Sequence, residues 1–79
     1  MSRDECMEHV YSVMQKKYTV DFYLEFYKDT NTVVLKVTAL GFCHTCEIEP
    51  YDLDLERIEN ICNNAVKKLE QYIVKSLYK

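Results

Sequence analysis

Apolar residues occupy every second position between residues 20 and 27, and polar residues or tyrosines occupy the positions between them. The apolar set is Val20, Phe22, Leu24 and Phe26. A period of two predicts a β-strand with one buried face. The turn-forming residues 28–31 follow, and the next eight residues are rich in valine and threonine, whose branched side chains favour strands. The pattern therefore predicts a β-hairpin whose second strand spans residues 32–39.

Helical patterns lie on both sides of the hairpin. Over residues 3–17, apolar residues recur along one stripe, and Ser2 or Asp4 is suited to cap the start. A stronger stripe runs from residue 55 to residue 77, with Asp52 or Asp54 as its cap. About 25 residues of helix would be roughly 37 Å long, which exceeds what a three-stranded sheet needs for cover. We therefore expect residues 72–78 to pack on a partner.

The residues after Ala39 predict a third strand that ends near residue 48. The turn that leads into it lies either at Leu40 and Gly41 or at His44 and Thr45, and the sequence leaves both open. The predicted fold is a single α+β domain over residues 1–79 with the order α-β-β-β-α. Its three-stranded antiparallel sheet is expected to carry both helices on one face.

Composition and charge narrow the classes of function. The chain has 79 residues, 48% of them hydrophobic, and a formal net charge of −3. The negative charge argues against direct nucleic-acid binding, which needs a basic face. No apolar run reaches the length of a membrane span, and the polar start is not a signal peptide. We therefore expect a cytoplasmic protein that does not bind membranes. Seven tyrosines beside one glycine and one proline, with many lysines, asparagines and isoleucines, are typical of an AT-rich genome, such as those of many low-GC bacteria, their phages and some archaeal viruses.

The cysteines offer one candidate metal site. Cys43 and Cys46 form a Cys-x-x-Cys pair, and Cys6 and His9 form a Cys-x-x-His pair on the predicted first helix. Together they could supply the four ligands of a structural zinc ion, which would help so small a domain stay folded. A regular strand over residues 43–46 would instead point its two sulfurs to opposite faces. Ordinary thiols are the preferred interpretation, with zinc or a disulfide left open.

Two families resemble parts of this pattern. The element order resembles that of a double-stranded-RNA-binding domain, but this chain has acids at residues 52, 54 and 56 where that family has a basic cluster. The segment from Leu35 to Cys46 is similar to NifU-type iron–sulfur scaffolds, in which a strand runs into Gly-x-Cys-x-x-Cys. The Pro-Ser and Asp-Gly-Gly signatures of those scaffolds are missing. The second resemblance implies iron–sulfur handling by Cys43 and Cys46.

The outward face of the predicted sheet is the other distinctive feature. Tyr23 and Tyr27 alternate there with Asp21 and Glu25, and the next strand should add Val34, Lys36, Thr38 and Leu40. Tyrosine is enriched at protein interfaces because it buries a large rigid area and keeps a polar tip.

We therefore expect a protein-binding surface made of Asp21, Tyr23, Glu25, Tyr27, Glu47 and Glu49. The chain is expected to act without catalysis or a cofactor, as an inhibitor of a host nucleic-acid-binding protein encoded by a phage or virus. A homodimer, formed through the long last helix or the edge of the third strand, is compatible with this expectation. The alternative is a zinc or iron–sulfur-handling protein that uses Cys43 and Cys46 with Cys6 and His9.

Overall fold

The computed structural model describes residues 2–50 and 53–78. The chain forms α1 (Arg3–Lys17), β1 (Asp21–Tyr27), β2 (Thr32–Ala39), β3 (Phe42–Ile48) and α2 (Leu55–Leu77) in that order. The strands form one antiparallel sheet in the order β1-β2-β3. The predicted α-β-β-β-α fold is therefore confirmed.

Both helices begin at side-chain caps that the sequence offered. Ser2 Oγ accepts a hydrogen bond of 3.2 Å from the backbone N–H of Glu5. Asp54 Oδ1 accepts one of 2.8 Å from the backbone N–H of Arg57. Each bond satisfies a donor that the first turn of a helix otherwise leaves without an intrahelical partner. Asp52, the other candidate cap of the last helix, lies outside the described residues.

The turn between β2 and β3 lies at Leu40 and Gly41, which settles the alternative left open by the sequence. Both residues have positive φ, +52° and +82° respectively. Two consecutive positive φ values are the signature of a two-residue type I′ hairpin, whose twist matches that of the flanking strands. Leu40 therefore lies at the hairpin tip, and its expected place on the outward sheet face is wrong.

The core lies between the helices and one face of the sheet. Strand β2 contributes Val33, Leu35 and Val37, and both helices contribute their apolar stripes. The helical core residues are Cys6, Val10 and Met14 of α1 and Ile58, Cys62, Ala65, Val66 and Leu69 of α2. Because both helices cover this one face, the opposite face of the sheet is left open by the described residues. In the part of the chain that the structure describes, neither helix is long and apolar enough to cross a membrane.

Candidate functional site

The open face of the sheet, called the outer face below, is arranged in rows by the strand register. The rows are Asp21–Thr38–Cys43, Tyr23–Lys36–Thr45, Glu25–Val34–Glu47 and Tyr27–Thr32. Alternation along each strand places these side chains opposite those that face the helices. The outer face thus includes five of the six residues expected to bind protein, and Glu49 lies exposed just beyond the end of β3.

The two tyrosines are the most prominent apolar groups of the outer face. Tyr23 is 60% exposed and Tyr27 is 51% exposed. They border a shallow hollow of about 200 Å³ whose floor and rim also include Val34, Lys36 and Thr45. Tyrosine rings beside a small hollow provide rigid contact area at a low cost in side-chain entropy. This geometry suits contact with another protein.

The charge of the outer face is mainly negative. Asp21, Glu25 and Glu47 carry carboxylates there, against the single ammonium of Lys36. The hydroxyl of Tyr27 donates a 3.0 Å hydrogen bond to Glu25 Oε2. That bond raises the pKa of Tyr27, as do the charge of Glu25, partial burial and, more weakly, the charge of Glu47. The field of Glu47 thus reaches Tyr27 across the sheet, so acids on both outer strands act on one surface.

The four predicted metal ligands do not converge. Strand β3 is regular from residue 42 to residue 48, so Cys43 lies exposed on the outer face and Cys46 points toward the helices. Cys6 is buried in the core, and His9 is half-buried on α1. Among residues 2–50 and 53–78, no group of three or more His, Cys, Asp or Glu side chains is placed to hold a metal ion. A shared zinc ion would therefore require the start of β3 to leave the sheet.

The inward thiols belong to the core. Cys6, Cys46 and Cys62 all pack in or against the buried cluster, and all four cysteines are free thiols. Burial, followed by the nearby sulfurs of Cys46 and Cys6, raises the pKa of Cys62 to about 12. Burial also raises the pKa of Cys6 and of Cys46. These thiols therefore stay protonated near neutral pH and lack the thiolate that nucleophilic chemistry needs.

His44 has a structural contact that the sequence did not indicate. Its Nδ1 lies 3.2 Å from the hydroxyl of Tyr72, and the two ring centroids are 5.7 Å apart. This contact joins the start of β3 to the last turns of α2. Both His44 and His9 are half-buried.

Comparison of the chain with protein-family models, with curated proteins and with solved structures finds no match. The function is therefore argued from the geometry of the described residues.

Proposed function

We propose that the chain is a non-catalytic protein-binding module whose interface is the outer face. The observation that carries this proposal is the pair Tyr23 and Tyr27, both more than half exposed on a sheet face that neither helix covers. Interfaces gain most of their binding energy from a few aromatic anchors surrounded by polar groups. The tyrosines supply the anchors, and Asp21, Glu25 and Glu47 supply the surrounding groups.

The partner is proposed to present a basic surface. Three carboxylates against one lysine give the outer face a negative potential, which attracts a positive patch and speeds association at low salt. Nucleic-acid-binding proteins have such basic patches because they neutralise phosphates. An acidic module that covers such a patch would block nucleic-acid binding by competition. We therefore propose inhibition of a nucleic-acid-binding protein as the specific action, in the reducing cytoplasm that free thiols favour.

The experiment compares the double variant Tyr23→Ala/Tyr27→Ala with the wild type in capture of proteins from a cell extract, followed by direct binding to the purified partner. The double variant should lose the partner, because it removes both anchors. Leu55→Ala is the control, since Leu55 is 56% exposed at the start of α2, which lies on the other side of the sheet from the outer face. A partner bound equally by wild type and double variant would overturn the proposal.

The inhibitory action has a separate test. The purified partner should bind nucleic acid, and adding the chain should release that nucleic acid in proportion to the complex formed. A partner that keeps its nucleic acid when saturated with the chain would remove the inhibitory action and leave the binding module. The viral origin stays a hypothesis from composition. The zinc alternative stays a prediction too, and no contact among the described residues favours it.

A further inference from the structure

Strand β1 is an exposed edge of the sheet. Within the described residues 2–50 and 53–78 it pairs only with β2, in unbroken register from Asp21 with Thr38 to Tyr27 with Thr32. Every second residue of such a strand directs its N–H and C=O away from the sheet. Proteins commonly protect such edges with proline, charged side chains (lysine above all), a bulge or a short strand. The seven residues of β1 contain neither proline nor lysine, and their continuous pairing leaves no bulge. The charged residues of β1 are Asp21 and Glu25, and both carry negative charge on the outer face.

An apolar groove runs along this edge, between β1 and α1. Its main part has a volume of about 540 Å³ and is lined by Met7, Glu8, Tyr11, Phe22, Tyr23 and Leu24. A second part of about 360 Å³ shares three of these residues and continues to Val20 and Asp21. The Tyr11 and Phe22 rings form an edge-to-face pair with centroids 5.4 Å apart in the wall between helix and strand. The groove therefore follows the same line as the free backbone groups.

The two sides of this edge would select different side chains on an added strand. Residues that point toward α1 would enter the groove among Met7, Tyr11 and Phe22, so they must be apolar. Residues that point the other way would lie beside Asp21 and Glu25 on the outer face, so they would favour positive charge. The charged residues that line the groove itself, Glu8 and Asp21, are also acidic.

We infer that β1 and α1 form a strand-addition site for an extended segment of a partner protein in which apolar residues alternate with lysine or arginine. The segment pairs with the free backbone groups of β1, which gives affinity, and its alternating side chains give specificity. Seven residues of β1 offer a pairing length of about 23 Å. The site shares Asp21, Tyr23 and Glu25 with the outer face, and its groove lies on the α1 side of the edge, so variants of Glu8 and of Tyr27 distinguish the two surfaces.

A second copy of the chain is a poorer occupant because of charge. Pairing of β1 with the β1 of another copy would bring two sets of Glu8, Asp21 and Glu25 to one edge. The nearby cation Arg3, which lies 4.5 Å over the Phe26 ring, is already paired with Asp4. A second copy therefore adds negative charge to an edge that is already negative. The same carboxylates would attract a basic segment.

The test uses a synthetic peptide, acetyl-Lys-Val-Lys-Ile-Lys-Val-Lys-amide, titrated into the isotope-labelled full chain. At saturation, alternate amides of β1 should exchange with solvent more slowly by about tenfold or more, because they gain hydrogen bonds. The free edge of β3 should not change, and the glutamate version of the peptide should not bind. Binding that leaves β1 exchange unchanged, or that protects β3 instead, would overturn the inference.

Backbone methylation separates strand addition from simple charge attraction. One peptide is N-methylated at its three apolar residues and another at its four lysines, so that each loses one alternate set of N–H donors. Only one set faces β1, so one peptide should bind like the parent and the other should weaken by about tenfold. Equal binding of the two methylated peptides would overturn the inference.

Charge variants locate the site. The double variant Glu8→Lys/Asp21→Lys should lower the affinity for the cationic peptide by about tenfold at low salt. Asp29→Lys/Glu70→Lys makes the same change of charge at exposed positions outside the groove and should leave binding intact. Equal weakening of peptide binding by both double variants would contradict a localised site.

Sedimentation of the chain alone should show a monomer. A dimer with concentration-dependent protection of the β1 amides would assign the edge to a second copy instead. The outer-face proposal is decided separately, by variants of Tyr27 and by the partner itself.

Discussion

The hydroxyl of Tyr27 donates a hydrogen bond of 3.0 Å to the carboxylate of Glu25, two residues earlier on the same strand. Residues two apart on a strand share a face, so this bond lies on the outer face and fixes the direction of the tyrosine ring. A ring held in place before binding loses less freedom when a partner docks. In this pair, an acidic residue of the proposed interface therefore holds one of its aromatic residues in place.

The first prediction concerns the titration of Tyr27. Glu25→Gln weakens the largest cause of the raised pKa of Tyr27, because an amide oxygen accepts a weaker hydrogen bond than a carboxylate, and it removes the second-largest cause, the charge of Glu25. The neutral phenol is then favoured less, so the pKa of Tyr27 should fall toward the ordinary tyrosine value. A pH titration of the Tyr27 ring resonances by NMR measures this shift. Glu70→Gln on α2 is the control, and an unchanged Tyr27 pKa in Glu25→Gln would show that the hydrogen bond does not form.

The second prediction concerns the hairpin tip. Leu40 has φ +52° and is 82% exposed, so Leu40→Asn should stabilise the fold by about 1 kcal/mol by fitting the left-handed backbone better. Gly41→Ala should destabilise it by about 1 kcal/mol. A Cβ on Gly41 would meet nothing within 4 Å, so the loss would come from backbone strain at φ +82° and not from a clash. Chemical denaturation measures both changes. A destabilising Leu40→Asn would argue against the type I′ turn.

The third prediction concerns the order of thiol reactivity. Cys43 is exposed, whereas burial raises the pKa of Cys6, Cys46 and Cys62. A thiol reagent at neutral pH should therefore modify one thiol quickly and the others slowly. Cys43→Ser should remove the fast phase, and denaturation should expose all the remaining thiols.

The same thiol count decides the zinc alternative. Elemental analysis of the purified protein should find no stoichiometric metal, and a chelator should not change the fast phase. One zinc per chain, with Cys43 masked until the chelator is added, would restore the four-ligand site and require a different β3.

Stability at high pH follows from the same thiols. A thiol whose pKa is raised by folding favours the folded state while it is protonated. This contribution is complete below the ordinary thiol pKa and is lost as the pH rises through the folded value, which for Cys62 is about 12. The free energy of unfolding should therefore fall above pH 9, the ordinary value, in denaturation series at increasing pH. Cys62→Ala should make that fall shallower, and an equally steep fall in this variant would contradict the assignment.

The fourth prediction compares two leucines of α2. Leu69 is fully buried, and Leu77, eight residues later on the same helix, is 76% exposed. Leu69→Ala should lower the free energy of unfolding by about 2–5 kcal/mol, which is enough to unfold a large fraction of the molecules of so small a domain. Leu77→Ala should change stability by less than about 0.5 kcal/mol in the monomer. A large, concentration-dependent cost at Leu77 would instead show that the last turns of α2 pack against a second copy.

The fold was predictable from the sequence because its local signals agree. The alternation over residues 20–27 defines β1 and its buried face, and Ser2 and Asp54 cap the two helices as expected. The β2–β3 turn was not predictable, because a leucine with positive φ is rare and the turn rules therefore do not select Leu40. Because the position of this turn was open, the sequence also left open whether the sulfurs of Cys43 and Cys46 could point the same way.

The residues of the outer face were predictable from the sequence, whereas the groove beside β1 was not. Alternation alone places Tyr23, Tyr27 and the acids on one face, since side-chain direction depends only on position along the strand. The groove between Met7, Tyr11 and β1 was not predictable, because it depends on how far α1 lies from the sheet edge. The contact between His44 and Tyr72 was missed for the same reason: it depends on the course of α2 over β3.

The most direct test of the outer face as the interface is site-specific photo-crosslinking. A photoreactive phenylalanine analogue is placed at position 27 or 45 on the outer face, or at position 60 or 67 on the exposed side of α2. Positions 27 and 45 should crosslink the same partner protein, and a nucleic acid bound by this partner should compete with the crosslink. Crosslinks from positions 60 and 67, with none from positions 27 and 45, would show that the outer face is not the interface.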